Sequence, residues 1–149
     1  MAECCEFGCC LFTSTASSSA MQAACRLAPH PTSPSAARHF VEANVGEVPH
    51  PILELLGLLI TEVVTNAIVH AQTSLVVTVS MRGEAIRVEV HDDSPALPVM
   101  VRAALDEAGG RGMAIVDGLA DDWGVYTEPL HGKTVWFEVG RGLCGSAVM

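Results

Sequence analysis

Two neighbouring segments near the middle of the chain alternate apolar and polar residues with a period of two. They are SLVVTVSM at 74–81 and AIRVEVHD at 85–92, and RGE between them supplies Gly83 for a hairpin turn. Such alternation is typical of strands that are buried on one face only, which indicates an antiparallel sheet. The apolar positions are Leu75, Val77, Val79 and Met81 in the first segment and Ile86, Val88 and Val90 in the second.

The segment before these strands has the apolar pattern of a helix. It starts with Pro51 at a favourable first-turn position and is apolar on most faces up to about Ala71, so we expect a largely buried helix. A shorter helix is predicted before it, with Ser33 or Ser35 as its N-cap. QAACRLA, further towards the N-terminus, predicts a first strand.

The C-terminal third predicts a proline-containing loop, a helix that follows glycines in GGRGMAIVDGLA, and two more strands in DWGVYTE and KTVWFEV. The elements together predict an α+β fold, a two-layer sandwich in which helices pack on one face of a mainly antiparallel mixed sheet. The predicted domain covers residues 22–140. Residues 1–21 are expected to form a flexible tail rich in Cys and Ser, and residues 141–149 a C-terminal tail.

Composition narrows the class of protein. The chain has 149 residues, 50% of them hydrophobic, which suits one compact domain. Its formal net charge of −9 argues against binding to nucleic acid or to an anionic membrane surface, because both need a basic face. No apolar run approaches the roughly 20 residues that span a bilayer, and the first residues lack the basic leader of a secretion signal. We expect a cytoplasmic protein that binds neither nucleic acid nor membrane.

Four of the six cysteines are crowded into CCEFGCC. The adjacent pairs, Cys4 with Cys5 and Cys9 with Cys10, have the chemistry to bind a soft metal or to exchange disulfides. However, no histidine or further cysteine lies at a standard zinc spacing from them. The alternatives are a thiol-dependent regulator that senses metal or oxidant and, favoured by composition, a passive tail with incidental thiols.

Three polar residues form one line on the long apolar helix. Glu62, Asn66 and His70 lie within roughly 80° of each other at helical periodicity. A buried polar group without a partner costs about 1–3 kcal/mol, so this line indicates a ligand or a partner. The amide oxygen of Asn66 suits Mg²⁺, and Glu62, one turn away, can accept a proton from a hydroxyl or a water. We interpret the line as the wall of a nucleotide site, with His70 as a structural residue.

Two later segments fit the same interpretation. Asp92 ends a predicted strand, where its carboxylate can accept a hydrogen bond from an exocyclic amine. GGRGMAIV places Gly109, Gly110 and Gly112 just before a helix, and backbone amides at a helix N-terminus attract phosphates. Because the chain is acidic, such amides or a metal cation have to offset the charge of a phosphorylated ligand.

In this order, the three segments resemble the motifs of the ATPase domain shared by gyrase B, histidine kinases and related proteins, the GHKL or Bergerat fold. EVVTNAIVHA resembles its N-box, VEVHDDSPA its G1 box, GGRGMAIV its G2 box and GKTVWFEV its closing strand. The resemblance covers residues 22–140, nearly the whole predicted domain. SPALP, GRGMAIVDGLADDWGV and GKTVWFE look most like the small anti-sigma-factor serine/threonine kinases within that fold.

The resemblance implies binding of ATP and Mg²⁺, often as a homodimer. It also implies phosphorylation of a serine on a small antagonist protein, coupled to binding of a sigma factor. By position, Glu62 would be the general base, Asn66 the Mg²⁺ ligand and Asp92 the reader of the adenine amine. The other implied cofactor contacts, with Thr134 as support for the adenine pocket, are Ser94, Ala96, Gly110, Arg111, Gly112, Met113 and Thr134.

The sequence leaves several assignments open. Ser94 and Ala96 stand where the G1 box of the family has glycines, which make room for the adenine. Lys133 and Arg111 either contact a phosphate or are solvated surface charges. Two functions remain: a Mg-ATP-dependent protein serine kinase, which retention of Glu62 favours, and a binding module that holds a sigma factor or antagonist with weak nucleotide binding.

Overall fold

A six-stranded sheet forms one layer of the protein. The computed structural model describes residues 10–13, 22–94 and 111–142. The strands are β1 Cys10–Thr13, β2 Gln22–Leu27, β3 Leu75–Arg82, β4 Ala85–Asp92, β5 Asp122–Glu128 and β6 Gly132–Gly140. Their order across the sheet is β1-β2-β3-β4-β6-β5, and every pair of neighbours is antiparallel. Within the described residues the sheet is therefore purely antiparallel, not mixed.

Among the described residues, three helices form the other layer. They are α1 Ser33–Asn44, α2 His50–His70 and α3 Arg111–Leu119. The long helix α2 contacts both other helices and lies against β4 and β6, while α1 lies against β2 and β3. The predicted α+β two-layer sandwich is confirmed.

The start of α1 differs from the prediction in one detail. Thr32, rather than Ser33 or Ser35, occupies the N-cap, and Ser33 is the first helical residue. The buried Oγ of Ser33 instead donates a hydrogen bond to the carbonyl oxygen of Ala28 at 2.6 Å. This bond connects the beginning of α1 to the end of β2.

The core lies between the layers and is formed by the alternating strand residues that the sequence predicted. Val77, Ile86 and Phe137 are fully buried there, and burial of one such side chain contributes about 1.5–3 kcal/mol. From α2 the core receives Leu56, Leu59, Ile60, Val63, Val64 and Ala67. By length and mean hydropathy (1.9) α2 could also cross a membrane, whereas no such run was expected from the sequence. Seven of its residues are buried, and Leu58 and Val69 are exposed.

Strand β1 lies within residues 1–21, for which the sequence predicted only a flexible tail. Its residues Cys10–Thr13 pair with residues 23–26 of β2. Without β1, the outer N–H and C=O groups of β2 would have no strand beside them. CLFT is apolar and ends in a β-branched residue, so it suits this pairing.

The register between β4 and β6 determines which residues meet at one end of the sheet. Asp92 lies opposite Lys133, and His91 lies opposite Thr134. Because successive strand residues point to opposite faces, Asp92 and Lys133 share the helix-covered face with buried Val135. His91 and Thr134 therefore lie on the outer face.

Candidate functional site

The helix α2 carries two half-buried polar side chains, Glu62 and Asn66, one turn apart. In the part of the chain that the structure describes, neither side chain takes part in a hydrogen bond or an ion pair. His70, the last residue of α2, is exposed. The polar groups of Glu62 and Asn66 can therefore contact a ligand. The expectation that His70 is a structural residue does not fit its exposed position at the end of α2.

Asp92 is the buried carboxylate of the site. Its residue is 1% exposed, and it ends β4 on the side of the sheet that α2 covers. Its Oδ1 accepts one hydrogen bond from the backbone N–H of Ser94 at 2.8 Å and another from Nζ of Lys133 at 3.0 Å. Among the described residues, nothing donates to Oδ2. One oxygen of the carboxylate is therefore held in place, and the other remains as an acceptor.

The environment of Lys133 differs from both alternatives that the sequence left open. The sequence allowed either a phosphate contact or a solvated surface charge, whereas the structure buries Lys133 to 4% exposure in an ion pair with Asp92. The alternation of residues along β6 could have predicted that Lys133 is buried. Since Val135 and Phe137 face the helices, a period of two also places residue 133 on that face.

Gly132 allows β6 to approach the end of β4. Its φ is +92°, and a Cβ added there would lie 2.0 Å from the carbonyl oxygen of Asp92 and 2.7 Å from Cα of Asp93. No side chain fits at such distances, and positive φ also disfavours L-residues. The position of Asp92 thus depends on a glycine directly beside it.

Thr134 does not join this cluster. Its Oγ1 is hydrogen-bonded to Nδ1 of His91 at 3.0 Å on the outer face of the sheet. The resemblance implied that Thr134 supports the adenine pocket, but the side chain on β6 that lies beside Asp92 is Lys133. The physical reason is the strand alternation, which turns neighbouring residues to opposite faces.

The structure describes part of the segment that the sequence predicted to bind phosphate. Arg111 and Gly112 form the beginning of α3, and Met113 is buried at 2% exposure. Ala96 and Gly110, two further predicted contacts, lie outside the described residues. Backbone N–H groups in the first turn of a helix have no partner within the helix, so the beginning of α3 provides donors suited to phosphate oxygens.

A second polar cluster lies on the outer face of the sheet and was not predicted. Arg87, 6% exposed, donates hydrogen bonds to Glu89 at 2.9 Å, Glu138 at 2.9 Å and the hydroxyl of Tyr126 at 3.0 Å. Its guanidinium carbon lies 4.0 Å from the ring centroid of Trp136. Burial alone would lower the pKa of Arg87, but these hydrogen bonds outweigh it and raise the pKa. The cluster connects β4, β5 and β6.

The polar side chains on the inner face of the sheet and on α2 have the chemistry to bind ATP with Mg²⁺. Oδ2 of Asp92, which accepts no hydrogen bond from the described residues, suits an exocyclic amine, and the amide oxygen of Asn66 is a hard ligand of the kind Mg²⁺ prefers. α2, which carries Asn66, packs on the two strands that carry Asp92 and Lys133. The inner face therefore offers a carboxylate oxygen that suits a base amine, and α2 offers an amide oxygen that suits a metal ion.

Comparison with known proteins agrees with this geometry. A family model described as the histidine kinase-like ATPase domain matches residues 27–139. The solved histidine kinase domain from the Erythrobacter litoralis EL346 blue-light activated histidine kinase is similar, with a TM-score of 0.52 and 26% sequence identity. That match covers 73% of this chain and 58% of the solved chain, so this chain corresponds to little more than half of that structure. Among curated proteins, none matches.

Proposed function

Because the chain belongs to the histidine kinase-like ATPase family, we propose that it is a Mg-ATP-dependent protein serine kinase that acts on a small antagonist protein in a partner-switching module. Domains of this family bind ATP and use it for kinase-like or ATPase chemistry, so the coarser function follows from membership. The proposal adds a serine as the substrate and names the protein partners.

The observation that carries the proposal is a pair of polar side chains on α2 that form no hydrogen bond with the described residues. Glu62 and Asn66 are half-buried on a mainly apolar helix and have no hydrogen-bond partner among the described residues. Such polar groups destabilise a fold unless they find partners. Retaining them at that cost indicates that they meet a ligand. Asp92 adds the acceptor for the base, with one oxygen already fixed by Ser94 and Lys133.

Each residue then has a distinct role. Asp92 accepts a hydrogen bond from the exocyclic amine of adenine, and Asn66 contributes an oxygen ligand to the metal. Mg²⁺, when bound, neutralises charge on the phosphates. Glu62 accepts the proton of the attacking hydroxyl, a role that gives typically 10²–10⁴-fold in rate. Backbone amides at the beginning of α3 hold phosphate oxygens.

The protein partners are proposed from the sequence resemblance. GRGMAIVDGLADDWGV and GKTVWFE look most like the small anti-sigma-factor serine/threonine kinases. On that basis the phosphate acceptor is a serine of an antagonist protein, and the alternate partner is a sigma factor. A homodimer is the form that this resemblance supports.

One observation favours a second candidate, a binding module with weak nucleotide affinity. Oδ1 of Asp92 already accepts two hydrogen bonds, and Ser94 occupies a position where the G1 box of the family has glycine. If the adenine does not enter beside these groups, the chain holds a sigma factor or antagonist without using ATP.

Calorimetric titration of ATP, with and without Mg²⁺, distinguishes the two candidates. We expect Mg-dependent binding that Asn66→Ala weakens at least tenfold, because a metal ligand is lost. Thr65→Ala is the matched control, since Thr65 is an exposed neighbour on the same helix and should bind ATP normally. No binding by the wild type would refute the kinase and leave the binding module.

A second variant tests the assignment of the base. Glu62→Gln keeps the size of the side chain but cannot accept the proton. We expect it to bind ATP as the wild type does and to turn over labelled ATP at least about 100-fold more slowly. Unchanged turnover would show that Glu62 is not the general base.

A further inference from the structure

Lys133 has more hydrogen-bond donors than the described residues use. Its side chain is 5% exposed, and its Nζ donates to Oδ1 of Asp92 at 3.0 Å. An ammonium group has three donors, and within the described residues the other two N–H bonds have no acceptor. Unsatisfied donors on a buried charge are costly, which points to a ligand that completes the set.

The Asp92–Lys133 pair presents an acceptor and a donor next to each other. Oδ2 of Asp92 accepts no hydrogen bond within the described part of the chain, and Nζ of Lys133 retains its free donors. The Watson–Crick edge of adenine offers the complementary pair on adjacent atoms: the exocyclic amine donates and ring nitrogen N1 accepts. One base edge can thus satisfy both side chains.

We propose that Lys133 determines base specificity by donating a hydrogen bond to N1 of adenine, while Asp92 accepts from the exocyclic amine. This inference rests on the proposed ATP-binding function and assigns a further residue to the same site. A purine with an oxo group at position 6 carries a proton on N1, so it cannot accept there. Lys133 and Asp92 together therefore recognise adenine by one acceptor and one donor.

The protein environment makes this hydrogen bond strong. It is charge-assisted, and such bonds are stronger than neutral ones in a buried site. Fixed geometry adds to the effect, because the Asp92 carboxylate holds the ammonium and the Ser94 N–H holds the carboxylate. The donor is then positioned before the base arrives, and less conformational freedom is lost on binding.

The test compares ATP with 1-deaza-ATP, in which a C–H group replaces N1, by calorimetry on the full chain with Mg²⁺. We expect the wild type to bind ATP about 10- to 100-fold more tightly than 1-deaza-ATP, the ratio for loss of one charge-assisted hydrogen bond. The control ligand, 7-deaza-ATP, lacks a ring nitrogen on the other edge of the base. Relative to ATP, 7-deaza-ATP should bind only slightly more weakly, whereas 1-deaza-ATP should bind much more weakly.

The variant Lys133→Met removes the donor and keeps an unbranched side chain of similar length. It should bind ATP and 1-deaza-ATP equally within about twofold, whereas a role limited to neutralising Asp92 would leave the wild-type ratio unchanged. If Lys133→Met does not fold, the wild-type comparison of the two nucleotides still decides the proposal.

The possible results distinguish a failure of the role of Lys133 from a failure of the proposed ATP-binding function. Mg-dependent ATP binding without discrimination against 1-deaza-ATP overturns the role of Lys133 and leaves the nucleotide site intact. Tighter binding of GTP than of ATP also overturns it, because guanine offers no acceptor at N1. Absence of binding for every nucleotide overturns both the inference and the kinase.

Discussion

The close contact at Gly132 makes a quantitative prediction about the variant Gly132→Ala. The added methyl group would lie 2.0 Å from the carbonyl oxygen of Asp92, far inside the 3.4–4 Å of ordinary contact. A flexible side chain could rotate away, but the atoms in the way belong to the backbone of Asp92 and Asp93. The ends of β4 and β6 would have to separate by more than an ångström.

The expected cost has two parts. An alanine at the positive φ of Gly132 costs about 1–2 kcal/mol. Separation of the strands weakens at least one or two backbone hydrogen bonds, each worth about 0.5–1.5 kcal/mol. Together they predict a loss of about 1.5–5 kcal/mol in the free energy of unfolding, a large fraction of the roughly 5–15 kcal/mol typical of a domain.

Gly83→Ala is the matched control for the backbone part. Gly83 also has positive φ, +60°, but a Cβ there meets nothing within 4 Å. This variant should lose only the backbone cost of about 1–2 kcal/mol.

Urea denaturation of both variants, together with ATP titration, measures the difference. We expect Gly132→Ala to be less stable than Gly83→Ala by about 2 kcal/mol and to bind ATP at least tenfold more weakly, because the displaced backbone carries Asp92. Gly83→Ala should bind ATP as the wild type does. Equal stability of the two variants would refute the steric argument, and normal ATP binding by Gly132→Ala would refute the link to the site.

Two further predictions concern the outer face of the sheet. Arg87→Met leaves two neighbouring glutamates without their cation and should lower the free energy of unfolding by about 2–4 kcal/mol, against at most about 1 kcal/mol for Arg38→Ala, which breaks an exposed helical ion pair. Equal losses in thermal or urea denaturation would contradict a structural role for the cluster. Thr134→Val removes the hydrogen bond to His91 and should change ATP affinity less than twofold, since both residues lie away from Asp92. A tenfold loss of affinity would instead restore Thr134 to the adenine pocket.

Periodicity predicted most of the fold because each strand has one buried face. The alternation of Val77, Val88 and Phe137 identified β3, β4 and β6, and the same argument applied to β6 also places Lys133 inside and Thr134 outside. The assignment by motif position put Thr134 in the pocket instead.

The cluster around Arg87 could not be predicted in the same way. The alternation placed Arg87 and Glu89 correctly on the polar face, but it could not show that the guanidinium is buried. Its other partners, Glu138 and Tyr126, are 51 and 39 residues away in the sequence. They come close only because β6 and β5 continue the sheet beyond β4, and that strand order depends on long-range pairing.

The order of strands leaves β5 at the edge of the sheet, with no strand beyond it in the described part of the chain. An open edge can pair with the edge of another molecule and start aggregation. Exposed carboxylates stand at both ends of β5, at Asp122 and Glu128, and the whole chain carries a net charge of −9. Two copies that approach through this edge therefore repel each other, so the acidic charge opposes edge-to-edge association.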